Sequence, residues 1–178
     1  MIRLFAAIAI PDHIAQALAP LQSGVDGARW RPAEAFHITL RFVGDVAEDI
    51  ADSVDEQLSG ICAKPFDLAL GGVGAFGEGR DLRAIWAGVQ ESEPLRRLAG
   101  KCESAVRRAG LKPETRNYAP HVTLAYLRGA GGGEIGAWIA SHNLLRTAPF
   151  RVDSFGLYSS WTGKAGASYR LEQSYTLA

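Results

Sequence analysis

His37-Ile38-Thr39-Leu40 and His121-Val122-Thr123-Leu124 are two copies of one tetrad, one in each half of the chain. β-Branched and aromatic residues around them favour strands over residues 36–43 and 121–127. Side chains alternate faces along a strand, so each His and its Thr share one face while the two aliphatics enter the other. Ile38 with Leu40, and Val122 with Leu124, are therefore the core side of these strands. The opposite side of each presents an imidazole beside a hydroxyl. Two such strands facing one cleft would surround a small anion with two imidazoles and two hydroxyl donors. A single His-x-Thr is an ordinary strand pairing. With 4 His and 6 Thr in the chain, two matched tetrads by accident is roughly a one-in-a-hundred event on composition.

Outward from the first tetrad, residues 4–10 are an apolar run stopped by Pro11, followed by apolar residues at helical spacing over 12–21. Asp45 with Glu48 resembles a capping box that opens a helix to about Leu58, whose acidic residues suit a solvated face. Residues 66–70 and 84–89 are expected strands around a glycine-rich connection, and residues 92–109 a helix stopped by Gly110. Around the second tetrad the order recurs: a strand over 121–127, a loose glycine turn over 129–133, a helix over 134–141, and closing strands over 150–158 and 168–177. Strands and helices in two similar halves predict a duplicated α+β unit.

At 178 residues the chain fits one domain, or two small lobes sharing a core. Its 47% hydrophobic and 21% charged residues match a globular protein, and no apolar run reaches transmembrane length. The formal net charge is zero, so any polyanion must be held locally rather than by a broad field. Arginines number 15 against 4 lysines, which supplies planar forks suited to phosphate, although base composition of the genome explains much of the bias. Cys62 and Cys102 lack ligand-like spacing and are expected as reduced, half-buried thiols. The apolar start is read as a buried first strand of a cytoplasmic protein rather than a signal peptide, because Pro11-Asp12 interrupts it.

Gly72-Val73-Gly74-Ala75-Phe76-Gly77 matches a dinucleotide-binding glycine pattern literally, but a strand follows where that pattern needs a helix N-terminus. The glycines are assigned to a hairpin turn. His13 and His142 have no matching partner. Trp30, Tyr118, Tyr126, Tyr158 and Trp161 lie near the tetrads or closing strands as candidates to stack on a base.

Opening a cyclic phosphodiester needs a base to take a proton from water and an acid to protonate the departing ribose oxygen, and imidazole does either near neutral pH. Threonine hydroxyls would donate to the non-bridging oxygens. On these residues the chain resembles the bacterial and archaeal RNA 2',3'-cyclic phosphodiesterases, once called 2'-5' RNA ligases, of the two-histidine phosphoesterase superfamily. The resemblance includes the Arg3-Leu4-Phe5 opening, the Trp30-Arg31-Pro32 approach, His37 through Gly44, Trp86-Ala87-Gly88-Val89, Pro120, and Phe155-Gly156-Leu157-Tyr158-Ser159.

The resemblance implies a single catalytic domain over residues 1–178, an α+β bilobal fold with antiparallel sheets lining a central cleft and helices outside. His37 would donate a proton to the leaving 3' oxygen and His121 accept one from water, leaving a 2'-phosphate. Thr39 and Thr123 would bind the phosphate, with Arg41 as a further ligand. Many relatives carry Arg five residues after the second histidine, where this chain has Tyr126, with Arg128 nearby as a substitute. No metal and no cofactor are implied. The expected partners are RNA ends, small cyclic phosphates or nucleotides, with no membrane, and the expected state is a monomer. Two other readings share these residues: a nucleotide-binding module without turnover, and a two-histidine phosphodiesterase acting on small cyclic phosphates or 2'-5' linked oligonucleotides. What is attached to the phosphate is not encoded in the catalytic set.

Overall fold

The two tetrads meet in the middle of an eight-stranded antiparallel sheet. The computed structural model describes residues 1–129, 131–163 and 166–178, so Ala130, within the expected turn over 129–133, lies outside the described residues. In chain order the elements are β1 (Ile2–Ala9), α1 (Asp12–Leu18), β2 (Ala28–Trp30), β3 (His37–Val46), α2 (Glu48–Ser59), β4 (Phe66–Leu68), β5 (Leu70–Phe76), β6 (Ala84–Val89), α3 (Glu93–Arg108), β7 (His121–Leu127), α4 (Gly132–His142), β8 (Phe150–Val152), β9 (Ser154–Gly163) and β10 (Gly166–Thr176). The sheet order is β10-β9-β1-β3-β7-β6-β5, with β2 also on β7, while β4 and β8 form a separate pair.

One lobe is β10-β9-β1-β3 and the other is β7-β6-β5 with β2. They join at a single pair, Ile38 opposite Val122, the second residue of each tetrad. Beyond that pair β3 leaves β7, and β2 takes its place along the same edge from Ala125 to Leu127. The sheet is therefore split just where the two histidines stand. The first lobe carries α2 and α3 against its strands, and α4 lies over β5. Trp138 of α4 is buried and its indole donates to the Leu21 carbonyl at 2.9 Å, tying α4 to the segment after α1.

The expected division of faces holds. Leu4, Ala6 and Ile8 of β1, Ile38 and Leu40 of β3, and Val122 and Leu124 of β7 all enter the helix-covered core. Ile38, Val122 and Leu124 are fully buried, each contributing about 1.5–3 kcal/mol relative to exposure. Phe5 lies on the other face of β1, buried under aromatic neighbours.

Two bulges were not visible in the sequence. Against β1, the ladder steps from Ala6–Arg41 to Ala7–Thr39, leaving Leu40 extra. Against β6, it steps from Ile85–Ala125 to Trp86–Thr123, leaving Leu124 extra. Each tetrad thus ends in a bulged leucine, and the strand beyond it is re-aimed.

Other details depart from expectation. Asp45 is not a cap: β3 runs on to Val46, and Asp45 pairs with Arg3 at 2.8 Å across the ladder. Helix α2 instead starts after Ala47 with no side-chain cap. The expected strand over 66–70 is two strands, and the glycine-rich stretch is mostly strand β5 rather than a turn. Gly74 is there because Trp86 crosses it: a Cβ would lie 2.4 Å from the indole. The turn starts at Gly77, at φ 90°, and a single 3-10 turn over Gly79–Asp81 leads into β6, so no α-helix begins after the glycine run. Neither cysteine is half-buried: Cys62 is exposed, and Cys102 is fully buried, which pushes its thiol up to about 12. Helix α3 begins as expected, with Ser92 accepting from the Leu95 amide at 3.3 Å. Among the described residues no helix is long and apolar enough to cross a membrane.

Candidate active site

His37 and His121 are held in the same way. Nδ1 of His37 lies 2.8 Å from the Ala35 carbonyl, and Nδ1 of His121 lies 2.8 Å from the Ala119 carbonyl. A carbonyl oxygen only accepts, so Nδ1 carries the proton in each neutral ring and Nε2 is left with its lone pair. In both cases the acceptor is two residues upstream, in the segment that leads into the strand. Ile38 and Val122 are paired, so His37 and Thr39 flank that junction on β3 and His121 and Thr123 flank it on β7, with His121 close enough for its charge to act on His37. His37, Thr39, His121 and Thr123 are all half-buried.

Aromatic rings back both imidazoles. Phe5 lies 4.9 Å from His37 and Tyr169 stands edge-on to it at 5.0 Å, centroid to centroid. In the other lobe Phe76 stands edge-on to His121 at 4.7 Å, with Trp86 at 6.3 Å. These rings shield the histidines from water. Burial is the largest influence on His37 and lowers its pKa to about 4, partly opposed by the Ala35 hydrogen bond and reinforced by the positive charges of Arg31 and His121. Burial also lowers His121, again opposed by its carbonyl partner.

Both rings are therefore neutral in the unliganded protein at pH 7. An anion between them favours the charged form and raises these pKa values. We expect the His37 ring signals to titrate near pH 4 in the free protein by NMR, and to move to higher pH when inorganic phosphate is added. The sign for stability follows: a folded pKa below the unfolded 6.5 means stability present above pH 6.5 and lost as pH falls towards 4. The melting temperature should fall over that window, less steeply in His37→Gln. A free-protein His37 titrating at 6.5 or above would contradict the burial argument.

The remaining expected residues separate. Arg41 is turned to the helix side beyond its bulge, where Glu103 of α3 pairs with it and the Lys112 carbonyl accepts from Nη2 at 2.7 Å. It is not grouped with the histidines, contrary to expectation. Tyr126 is 43% exposed and packs against Arg31. Arg128 is exposed beyond the end of β7. Of the candidate stacking rings, Tyr158 is stacked on Phe5 at 5.5 Å. The Tyr118 hydroxyl donates to the Thr39 carbonyl at 3.0 Å and so supports the tetrad from behind. Trp30 packs on Trp138, and Trp161 is hydrogen-bonded to Ser159 on the face of β9 opposite Tyr158.

Sequence reasoning missed Arg31 and Tyr169 as members of the site. The available signal was weak: Arg31 is one of three charged residues, with Arg29 and Glu34, in the approach to β3, and Tyr169 lies in a strand whose neighbours only the fold decides. A hollow lined by Asp45, Glu48, Asp52, Asp55 and Glu172 lies elsewhere and would repel a phosphate. Among the described residues no cluster of three or more His, Cys, Asp or Glu could hold a metal ion.

A split antiparallel sheet with matched His-x-Thr strands at the split is the fold of the two-histidine phosphoesterases. The profile of the 2'-5' RNA ligase superfamily matches residues 10–163, and the chain belongs to that family. It is 33% identical over 129 residues to an RNA 2',3'-cyclic phosphodiesterase of Archaeoglobus fulgidus, covering 71% of this chain and 73% of that one. With a protein of the same description from Methanothermobacter thermautotrophicus it shares 28% over 163 residues, covering 89% and 87%. Among solved structures, Escherichia coli LigT complexed with 3'-AMP superposes with a TM-score of 0.80 at 24% identity, covering 99% of this chain and 98% of that one.

Proposed function

We propose that this protein hydrolyses RNA 2',3'-cyclic phosphate ends to 2'-phosphomonoesters. The observation that carries the reading is the pair of imidazoles anchored alike on either side of the Ile38–Val122 junction, each with Nε2 free. His121 Nε2 takes a proton from water as the water oxygen attacks phosphorus. The bond from phosphorus to the 3' oxygen breaks, and His37 Nε2 returns a proton to that oxygen. His37 enters the step protonated because the bound anion raises its pKa; afterwards solvent exchange resets both rings. Thr39 and Thr123 donate to the non-bridging oxygens, where charge shifts in the transition state. Family membership and the names of the relatives support this reading, and the 3'-AMP held by LigT supports a nucleotide-type ligand.

Acid and base are both supplied by side chains, so the step as proposed uses no metal. RNA ending in a 2',3'-cyclic phosphate, incubated with the protein in excess EDTA, should yield a 2'-phosphate end. Activity lost in EDTA and restored by a divalent ion would overturn the metal-free step. Turnover of small cyclic phosphates or 2'-5' linked oligonucleotides with RNA ends left intact would overturn the substrate.

A further inference from the structure

Arg31 is a cation only 8% exposed, and among the described residues no carboxylate pairs with it. Its backbone is fixed to β7: the Arg31 amide donates to the Leu124 carbonyl at 2.8 Å, and Gln22 donates to the Arg31 carbonyl at 2.7 Å. Its side chain bridges the lobes. Nη2 donates to the Ala167 carbonyl of β10 at 2.9 Å. Cζ lies 5.2 Å from the Tyr169 ring centroid and 5.8 Å from that of Tyr126. Tyr169 is the same ring that stands 5.0 Å from His37, so the guanidinium and the imidazole flank one phenol.

Burying a guanidinium is unfavourable unless an anion or a full set of hydrogen bonds compensates. A guanidinium carries five N–H donors, and the contacts its side chain makes are uncharged: the Ala167 carbonyl and the rings of Tyr126 and Tyr169. The rings hold its plane by cation–π contact. Among the described residues no carboxylate neutralises this cation, and it shares the Tyr169 ring with His37. Arg31 is close enough that its charge acts on His37, adding to the lowering of its pKa by burial.

We propose that Arg31 is a phosphate-binding residue of this site, its fork donating to a non-bridging oxygen of the phosphate held between His37 and His121, with Tyr126 and Tyr169 fixing the fork. The assignment rests on the proposed function for the identity of the substrate. Neither Arg41, spent on Glu103, nor Arg128, beyond the end of β7, is placed this way. Tyr126 lies against the guanidinium, so an arginine at position 126 would bring a fork to the same space from β7 instead of from beside β2.

The test is binding of inorganic phosphate, measured by calorimetry on the full chain. Arg31→Met keeps the length and removes the charge. It should weaken phosphate binding about 10- to 100-fold, the range expected for one or two charge-assisted hydrogen bonds, and raise KM more than it lowers kcat. Arg31→Lys should retain part of the affinity, and Arg31→Met combined with Tyr126→Arg should recover part of it. A folded Arg31→Met that binds phosphate within twofold of wild type overturns the assignment, as does wild-type protein that binds no phosphate. Should Arg31→Met fail to fold, the Nε–Hε signal of Arg31 in the wild-type protein decides. A shift with slowed exchange on adding phosphate is expected, and an unchanged signal overturns the assignment. Wild type that binds phosphate through Arg31 but leaves cyclic-phosphate RNA intact sinks the proposed reaction alone.

Discussion

Replacing either histidine by alanine should lower turnover of cyclic-phosphate RNA by about 10²- to 10⁴-fold, the usual contribution of one general acid or base. Each variant removes one proton transfer from a step that needs two. Substrate affinity should change much less, because Arg31 and the threonine hydroxyls remain. His37→Ala combined with His121→Ala should be little worse than either single variant, since groups that act as one unit are strongly non-additive. Water is the proposed nucleophile, so a quenched reaction should contain no phosphohistidine. Folding must be checked separately, because His37 packs against Phe5 and Tyr169 and His121 against Phe76. His37→Gln and His121→Gln fill more of that space and serve as controls. Near-normal turnover in a folded single variant would show that the paired tetrads are a structural coincidence.

The second large effect is expected at the hydroxyls. Thr39→Ala and Thr123→Ala should each cost about 10²- to 10³-fold in kcat, the range for losing one preorganised donor at a developing charge. Thr39→Ser and Thr123→Ser keep the hydroxyl and should recover most of the loss. Thr→Val keeps the shape and β-branching without the donor and should behave like Ala. A merely structural role predicts the reverse order, with Val tolerated and Ser impaired. The two positions should respond alike, because each Thr follows its histidine by two residues on a strand that meets the other at Ile38–Val122. A large effect at one position and none at the other would break the two-fold logic of the site.

Much of this site is legible in the sequence because it is built on strands. Period-two alternation places His37 with Thr39 and His121 with Thr123 whatever the strands pair with, and the buried Ile38 and Val122 confirm those faces. Arg41 shows where that logic stops. Alternation alone sets it beside Thr39, but the bulge at Leu40 intervenes and Glu103 of a distant helix takes the guanidinium. The register change at Leu124 acts the other way: Leu124, Ala125 and Leu127 all enter the core, so Tyr126 is turned to the face that carries Thr123. Nothing local marks either bulge, because a bulge is a relation between two strands. The misassigned cap at Asp45 has the same origin: its neighbours suit a helix start, yet pairing with β1 draws β3 on to Val46.

The sequence by itself determined the two tetrads, the face each shows, and most strands and helices, since hydrophobic period and local propensity act over a few residues. It also determined the chemistry that two imidazoles and two hydroxyls can perform. Only the tertiary structure decided that the tetrads meet through Ile38 and Val122, so that two remote segments come to stand side by side. It alone decided that Arg31, from beside β2, and Tyr169, from β10, stand next to His37, and that Arg41 does not. The physical reason is that pairing of strands far apart in the chain is settled by the joint burial of both lobes. A cation's role depends on which anion or ring that packing leaves within its reach.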